Sequence, residues 1–294
     1  MTDKEGSGSL RKSHSYEKLR KFDGPNYHGL VCGSGNADAI LGAYESLTNI
    51  EAETLDKFLR SLADGMEERD KRHRRQWLDR QKALVNDKAS IIDDESERQL
   101  FVRSENIRTN ARFDEQMSGS PILAVVAYDT ERKRVFQYGV GCGIVYESHD
   151  PSNPIGSGAD AAGLRMIRKL PGVNVDRLTS ADMLFFLTTA FCESTTNVGV
   201  GGSPSSGEVD KDGARIVDHK VCIAVSNVCG SYLADECSRL TLRKTRQLVK
   251  GIGKGDKKAI SEAATLLDMS EDRLQNMYVL PSTWTEMANR KLYC

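Results

Sequence analysis

The residues best suited to chemistry are serines set between glycines. Gly33, Ser34 and Gly35 lead into a helical pattern that carries Asp38, and Gly156, Ser157 and Gly158 open another with Asp160 near its start. Such a turn lets backbone N–H groups face outward ahead of the first helical turn, and an acid there complements the helix dipole. A third glycine run, residues 197–207, has the look of a phosphate cradle. No Gly-Lys-Ser/Thr follows it and Pro204 interrupts any helix, so a phosphate loop is not expected, and a generic nucleotide-binding module is the weakest reading. His28 beside Gly29 has the chemistry of a base, although a lone histidine at a strand edge more often serves structure. His14, His73, His149 and His219 are scattered without metal-ligand spacing, so neither a metal nor another cofactor is expected.

These residues need elements to position them. Residues 120–169 hold the chain's central unit. Val125, Tyr128, Val135 and Tyr138 give β-branched and aromatic content on either side of the polar turn at 129–133, which is a hairpin pattern, and a short strand follows before the Gly156 loop. Upstream, 16–25 alternates into a turn and 27–33 is a short apolar strand. Ala37, Ile40, Leu41, Tyr44 and Leu47 then form a helical stripe, so strand, Gly-Ser-Gly and small-residue helix occur twice. A second helix is expected from about Asn49, burying Leu55, Phe58, Leu59, Leu62 and Met66, with a charged extension beyond Met66 that suits a solvated face better than a nucleic-acid patch. Residues 80–117 are polar and weakly periodic, which predicts a partly disordered insertion. Thr179 or Ser180 caps a helix with Leu184, Leu187, Ala190 and Phe191 inward. Residues 221–226 read as a buried strand paired with 230–233, and the last 50 residues as helical, with Ser270 capping a further helix.

Bulk properties narrow the partners. At 294 residues the chain can bury a full core, and 41 basic against 42 acidic residues leave no global field for nucleic acid or membrane. The seven cysteines lack a Cys-x-x-Cys pair and sit mostly in apolar segments, which suits reduced thiols in a cytoplasmic, or also nuclear, setting. No apolar run approaches the ~20 residues of a membrane helix, and no signal-peptide core is seen.

The order of Lys18-Leu19 and Phe22-Asp23, the strand ending Val31-Cys32-Gly33, Ala37-Asp38 opening a helix, the strand 124–129, Gly156-Ser157-Gly158, and Gly201-Gly202 before a buried strand resembles the proteasome-type N-terminal-nucleophile hydrolases, a group of proteasome β subunits and bacterial ring peptidases. The resemblance implies an α+β fold, a four-layer α/β/β/α sandwich of two antiparallel sheets. It implies a flexible segment at 1–15, a hydrolase domain at 16–242 with insertions at about 80–117 and 203–218, and a helical extension at 243–294.

In that family a threonine hydroxyl is the nucleophile and needs a free amine as base, because the hydroxyl is too weakly acidic to attack unaided. By position Lys18 matches the family lysine, Gly33 the glycine whose amide holds the oxyanion, and Ser157 the serine near the amine. Thr2 and Asp3 fall near the nucleophile and the acid that orients the lysine. Two departures stand against these matches: Thr2 is followed by polar sequence and not an apolar strand, and Asn197 and Val200 occupy positions where active members carry Asp and Ser. Two functions are therefore expected in competition. One is a threonine-type peptidase subunit whose nucleophile strand lies upstream of Met1, and the other is a catalytically inactive structural or partner-binding subunit of a homo- or hetero-oligomeric ring.

Overall fold

The computed structural model describes residues 19–34, 37–117, 121–149, 178–194 and 205–279. Two tight hairpins begin the sheet. Strand β1 (Leu19–Gly24) returns as β2 (Tyr27–Ser34) across Pro25 and Asn26, and β3 (Ile122–Asp129) returns as β4 (Arg134–Gly141). In the second turn the Asp129 carboxylate accepts from the backbone N–H groups of Glu131 at 2.9 Å and Arg132 at 3.0 Å, and Lys133 takes φ of +54°. This local bonding is the turn chemistry expected of aspartate. A short β5 (Ile144–Glu147) completes an antiparallel sheet in the order β1-β2-β3-β4-β5. Asn26 joins the two hairpin ends: its carbonyl accepts from Thr130 N at 2.9 Å, and its amide donates to Glu131 at 3.1 Å.

One face of this sheet is apolar at every second position. Leu123, Val125 and Ala127 alternate along β3, and Phe136, Tyr138 and Val140 along β4. Against them pack α1 (Ala37–Leu47) and the first third of α2 (Leu55–Ala89), through Leu55, Phe58, Leu59, Leu62, Ala63 and Met66. Phe58 stacks on Phe22 at 4.7 Å and lies tilted against Tyr27 at 5.2 Å. Helix α2 starts later than the expected Asn49, because Thr54 caps it by accepting from Lys57 N at 3.4 Å.

Residues 80–117, expected to be a partly disordered insertion, are helical. They are the end of α2 and all of α3 (Glu95–Met117), which folds back along it after a five-residue connection. The weak periodicity has a physical cause: among the described side chains Val85 and Ala89 of α2 and Thr109 of α3 are buried, while Leu84, Leu100 and Ile107 are left exposed among charged residues.

The second half has its own helical core. Helices α4 (Ser180–Ser194), α5 (His219–Leu233), α6 (Leu242–Gly253), α7 (Lys257–Leu266) and α8 (Glu271–Asn276) close around Phe185, Cys192, Val225, Val228, Leu248, Val249, Ile252 and Leu274. In α4 Phe185, Ala190 and Cys192 are buried and Leu184 and Phe191 pack partly against the core, whereas Leu187, expected inside, is 45% exposed. Ser270 caps α8 as expected. The strand reading of 221–226 is corrected, since these residues lie inside α5. Cys222 to Gly230 are buried without a break, so no period separates the two forms, and Asp218 decides the matter by capping the helix from Lys220 N at 2.7 Å.

The last two strands, β6 (Gly207–Asp210) and β7 (Gly213–Ile216), form a separate hairpin that packs on β2, where a Cβ on Gly207 would stand 2.4 Å from Leu30 Cδ1. The architecture is thus α+β, with a five-stranded antiparallel sheet and, among the described residues, a second sheet of two strands.

Two substitutions test these cores. Phe58→Ala should lower the unfolding free energy by about 3–5 kcal/mol in urea titration. Asn227 is buried in α5, donates to the carbonyls of Leu274 at 3.0 Å and Met277 at 2.9 Å, and accepts from Val279 N at 2.9 Å. Asn227→Leu should cost about 1–3 kcal/mol for each group left without a partner. An unchanged midpoint would show that the α5–α8 contact is not formed as described.

Candidate functional site

Of the residues matched to catalytic roles, Gly33 alone lies among the described residues. Lys18, Ser157, Thr2 and Asp3 lie outside them, as do Asp160, Asn197, Val200, Gly201 and Gly202. Gly33 sits near the end of β2, paired with Leu123 of β3. Its lack of a side chain has a packing cause: a Cβ there would stand 2.7 Å from Ile40 Cγ2 and 3.0 Å from Leu123 Cδ2. The first turn of α1 therefore rests directly on the Gly33 backbone.

Tyr44, one turn beyond Ile40 on the same face of α1, closes the site. Its phenol takes a hydrogen bond from the Gly33 backbone, and its pKa is pushed up to about 12, first by burial and then by the neighbouring Cys32. The Gly33 hydrogen bond and the charge of Arg20 oppose that rise. Burial likewise pushes the Cys32 thiol up, against a hydrogen bond from the Ala124 backbone. Cys32 is consequently a protonated thiol at neutral pH, not an activated nucleophile. Ile40 and Leu123 fill the space a Gly33 side chain would take, so this end of β2 is arranged as a packed junction.

His28 has a structural partner on the opposite side of β2. Its Nε2 is 2.6 Å from the Asp210 carbonyl, and its ring stacks on Tyr128 at 5.4 Å. It pins the β6–β7 hairpin to the sheet, which agrees with the structural reading of a strand-edge histidine. No group of three His, Cys, Asp or Glu side chains comes together as a metal site among the described residues.

One further surface carries shifted charge. At the start of α4, Asp182 accepts from Thr179 Oγ1 at 2.7 Å and meets Arg246 of α6, and that guanidinium, followed by Thr179, holds its carboxyl below the usual range. Arg243 and Lys250 line the same shallow groove. The carboxylate already occupies the helix start, which makes this a capped junction between helices.

Sequence reasoning picked out Gly33 and missed its partner Tyr44. The spacing of Ile40 and Tyr44 on one helical stripe carried the signal, but which glycine that stripe would press upon depended on the docking of α1.

No family model matches the chain, and no curated protein matches it. Solved structures do. A Gly-1 mutant of Anbu from Hyphomicrobium sp. strain MC1 is 12% identical over 75% of this chain and 84% of its own, with a TM-score of 0.45. Anbu, described as an ancestral beta-subunit, from Yersinia bercovieri is 11% identical over 76% and 85%, at 0.43. A further Anbu structure from the Hyphomicrobium strain gives 12% over 80% and 90%, at 0.40.

Likeness at this level does not place the chain in a family. The membership of the proteasome-type hydrolases inferred from the motif order, with a missing first strand, is overturned. No family model supports it, and one motif of the series fails physically, since the buried strand expected after Gly201-Gly202 is helix α5.

The Gly33 junction makes two expectations. Gly33→Ala should destabilise the fold by roughly 1–3 kcal/mol through overpacking, and Ile40→Ala in the same chain should recover part of that loss. The phenol raised to about 12 confers stability that is complete below pH 10 and is lost as pH rises toward 12, because the unfolded chain gives up that proton first. Tyr44→Phe should flatten the fall in denaturation midpoint over that window, and an equally steep fall would deny Tyr44 this role.

Proposed function

We propose that this chain is a non-catalytic assembly subunit, a structural or partner-binding component that associates with further subunits of similar build in a layered α/β/β/α arrangement. The observation that carries this reading is the Gly33 junction: the glycine expected to hold an oxyanion is covered by Ile40 of α1 and by Leu123 of β3, which would stand 2.7 Å and 3.0 Å from a Cβ placed there. The nearest thiol, Cys32, is held in its unreactive protonated form. The long α2–α3 hairpin adds support, since beyond Met66 it leaves Leu84, Ile91, Leu100 and Ile107 exposed on a part that lies outside the sheet core. The six cysteines among the described residues are free thiols, three of them buried, which fits a reducing cytoplasmic or nuclear compartment.

The competing function is a threonine-type peptidase, and the two separate in one pair of measurements on the full chain. The native mass should be that of several copies, and fluorogenic peptides should not be cleaved. Turnover abolished by Lys18→Ala would overturn the non-catalytic reading, and a monomer at all accessible concentrations would overturn the assembly.

A further inference from the structure

Helix α6 turns two different sides to its surroundings. Thr245, Leu248, Val249 and Ile252 are buried in the helical core, and the opposite side holds Arg243, Arg246, Gln247 and Lys250, all exposed. Their spacing puts these four in one row along the helix. The helix carries no acid, so the row depends on neighbouring elements for counter-charge. Lys244, on the flank, finds Glu262 of α7, and Arg246 finds Asp182 of α4. Among the described residues Arg243 and Lys250 meet no carboxylate.

The row forms one wall of the shallow groove whose other wall is the start of α4, with Ala181 and Asp182. Leu242, 49% exposed, adds an apolar spot beside Arg243. Two helical turns separate Arg243 from Lys250, about 10 Å along the axis. In a chain of polyproline II form, side chains three residues apart return to the same side after about 9 Å. The Asp182 carboxylate, already seated on Arg246 between the two, shows what kind of group the row accepts.

We propose that the α4–α6 groove binds an extended acidic peptide segment of a partner protein, with carboxylates three residues apart on Arg243 and Lys250 and an apolar side chain on Leu242. A membrane surface is disfavoured, because α6 spends its apolar side on the core and has none left to insert. Single-stranded nucleic acid calls for an aromatic platform, and among the described residues none lines the groove. A duplex would bring its phosphates onto the Asp182 carboxylate. The contact goes beyond the association of copies and does not depend on it, because it needs only the groove of one chain.

Fluorescence anisotropy tests it, using the full chain and a short labelled peptide of Glu, Leu and Ser with Glu at every third position. At low salt the peptide should bind, and a copy with Gln in place of Glu should bind about tenfold more weakly or worse, with the difference shrinking at high salt. Arg243→Glu with Lys250→Glu should cost about tenfold or more in affinity. Leu242→Ser should weaken binding at both salt concentrations. Arg72→Glu with Arg75→Glu, the same change of charge on an exposed stretch of α2, should leave binding unaltered. All these positions are exposed, so circular dichroism should not change, and the Gln peptide tests the contact without any variant. A peptide that fails to bind the wild type at low salt, or that loses as much to the α2 change as to the α6 change, would overturn the groove. So would tighter binding of a DNA duplex or of phosphatidylserine vesicles through Arg243 and Lys250. Each of those results leaves a native mass of several copies, and the assembly reading with it, standing. A wild-type monomer that binds the peptide would overturn the assembly and uphold the groove.

Discussion

The insertion of Phe58 between Phe22 and Tyr27 is the contact on which the first half of the molecule depends. It joins the β1–β2 hairpin to α2, and it buries three aromatic rings at 4.7–6.2 Å separations. Once Phe58 is seated, the rest of the α2 stripe falls on the odd-numbered residues of β3 and the even-numbered residues of β4. Around the stack the polar network is local: the Tyr27 hydroxyl donates to the Ala52 carbonyl at 3.2 Å, and Arg132 from the β3–β4 turn pairs with Asp56 in the first turn of α2. The exposed ion pair contributes little energy, but it marks how closely the turn and the helix start are brought together.

The same constraint fixes the Gly33 junction. With α2 held by Phe58, the short connection from Leu47 to Leu55 leaves α1 little choice of position, and its first turn comes down on the end of β2. Only a residue without a side chain fits beneath Ile40, and Tyr44 then reaches the Gly33 backbone. The glycine that a motif comparison assigns to oxyanion binding is accounted for by close packing alone. That is why the chemical reading and the structural reading of one residue diverge, and why the function proposed turns on what surrounds Gly33.

The helical half is organised by a different interaction. Asn227 spends its amide on two carbonyls and its oxygen on one N–H where the chain leaves α8, so a single buried side chain ties α5 to the end of the helical series. Cys192 and Cys229 behave there as small apolar side chains, and burial raises the Cys192 thiol to about 12. This half touches the sheet through the β6–β7 hairpin, held by His28 and Leu30.

Local chemistry was legible in the sequence wherever it acts within a few residues. The Asp129 turn, the strands on either side of it, the α1 stripe, the Ser270 cap and the inward face of α2 all follow from period and from side chains that bond their own backbone. Tertiary structure alone decided the rest. Residues 221–225 are apolar at every position and Ser226 is buried with them, so their period is silent and the surrounding helices make them α5. Residues 80–117 lack a wide stripe because in this stretch α2 and α3 pack on each other along a narrow seam. The role of Gly33 was written in its identity but not in its neighbours, since Ile40 and Tyr44 reach it only after α1 has docked on the sheet.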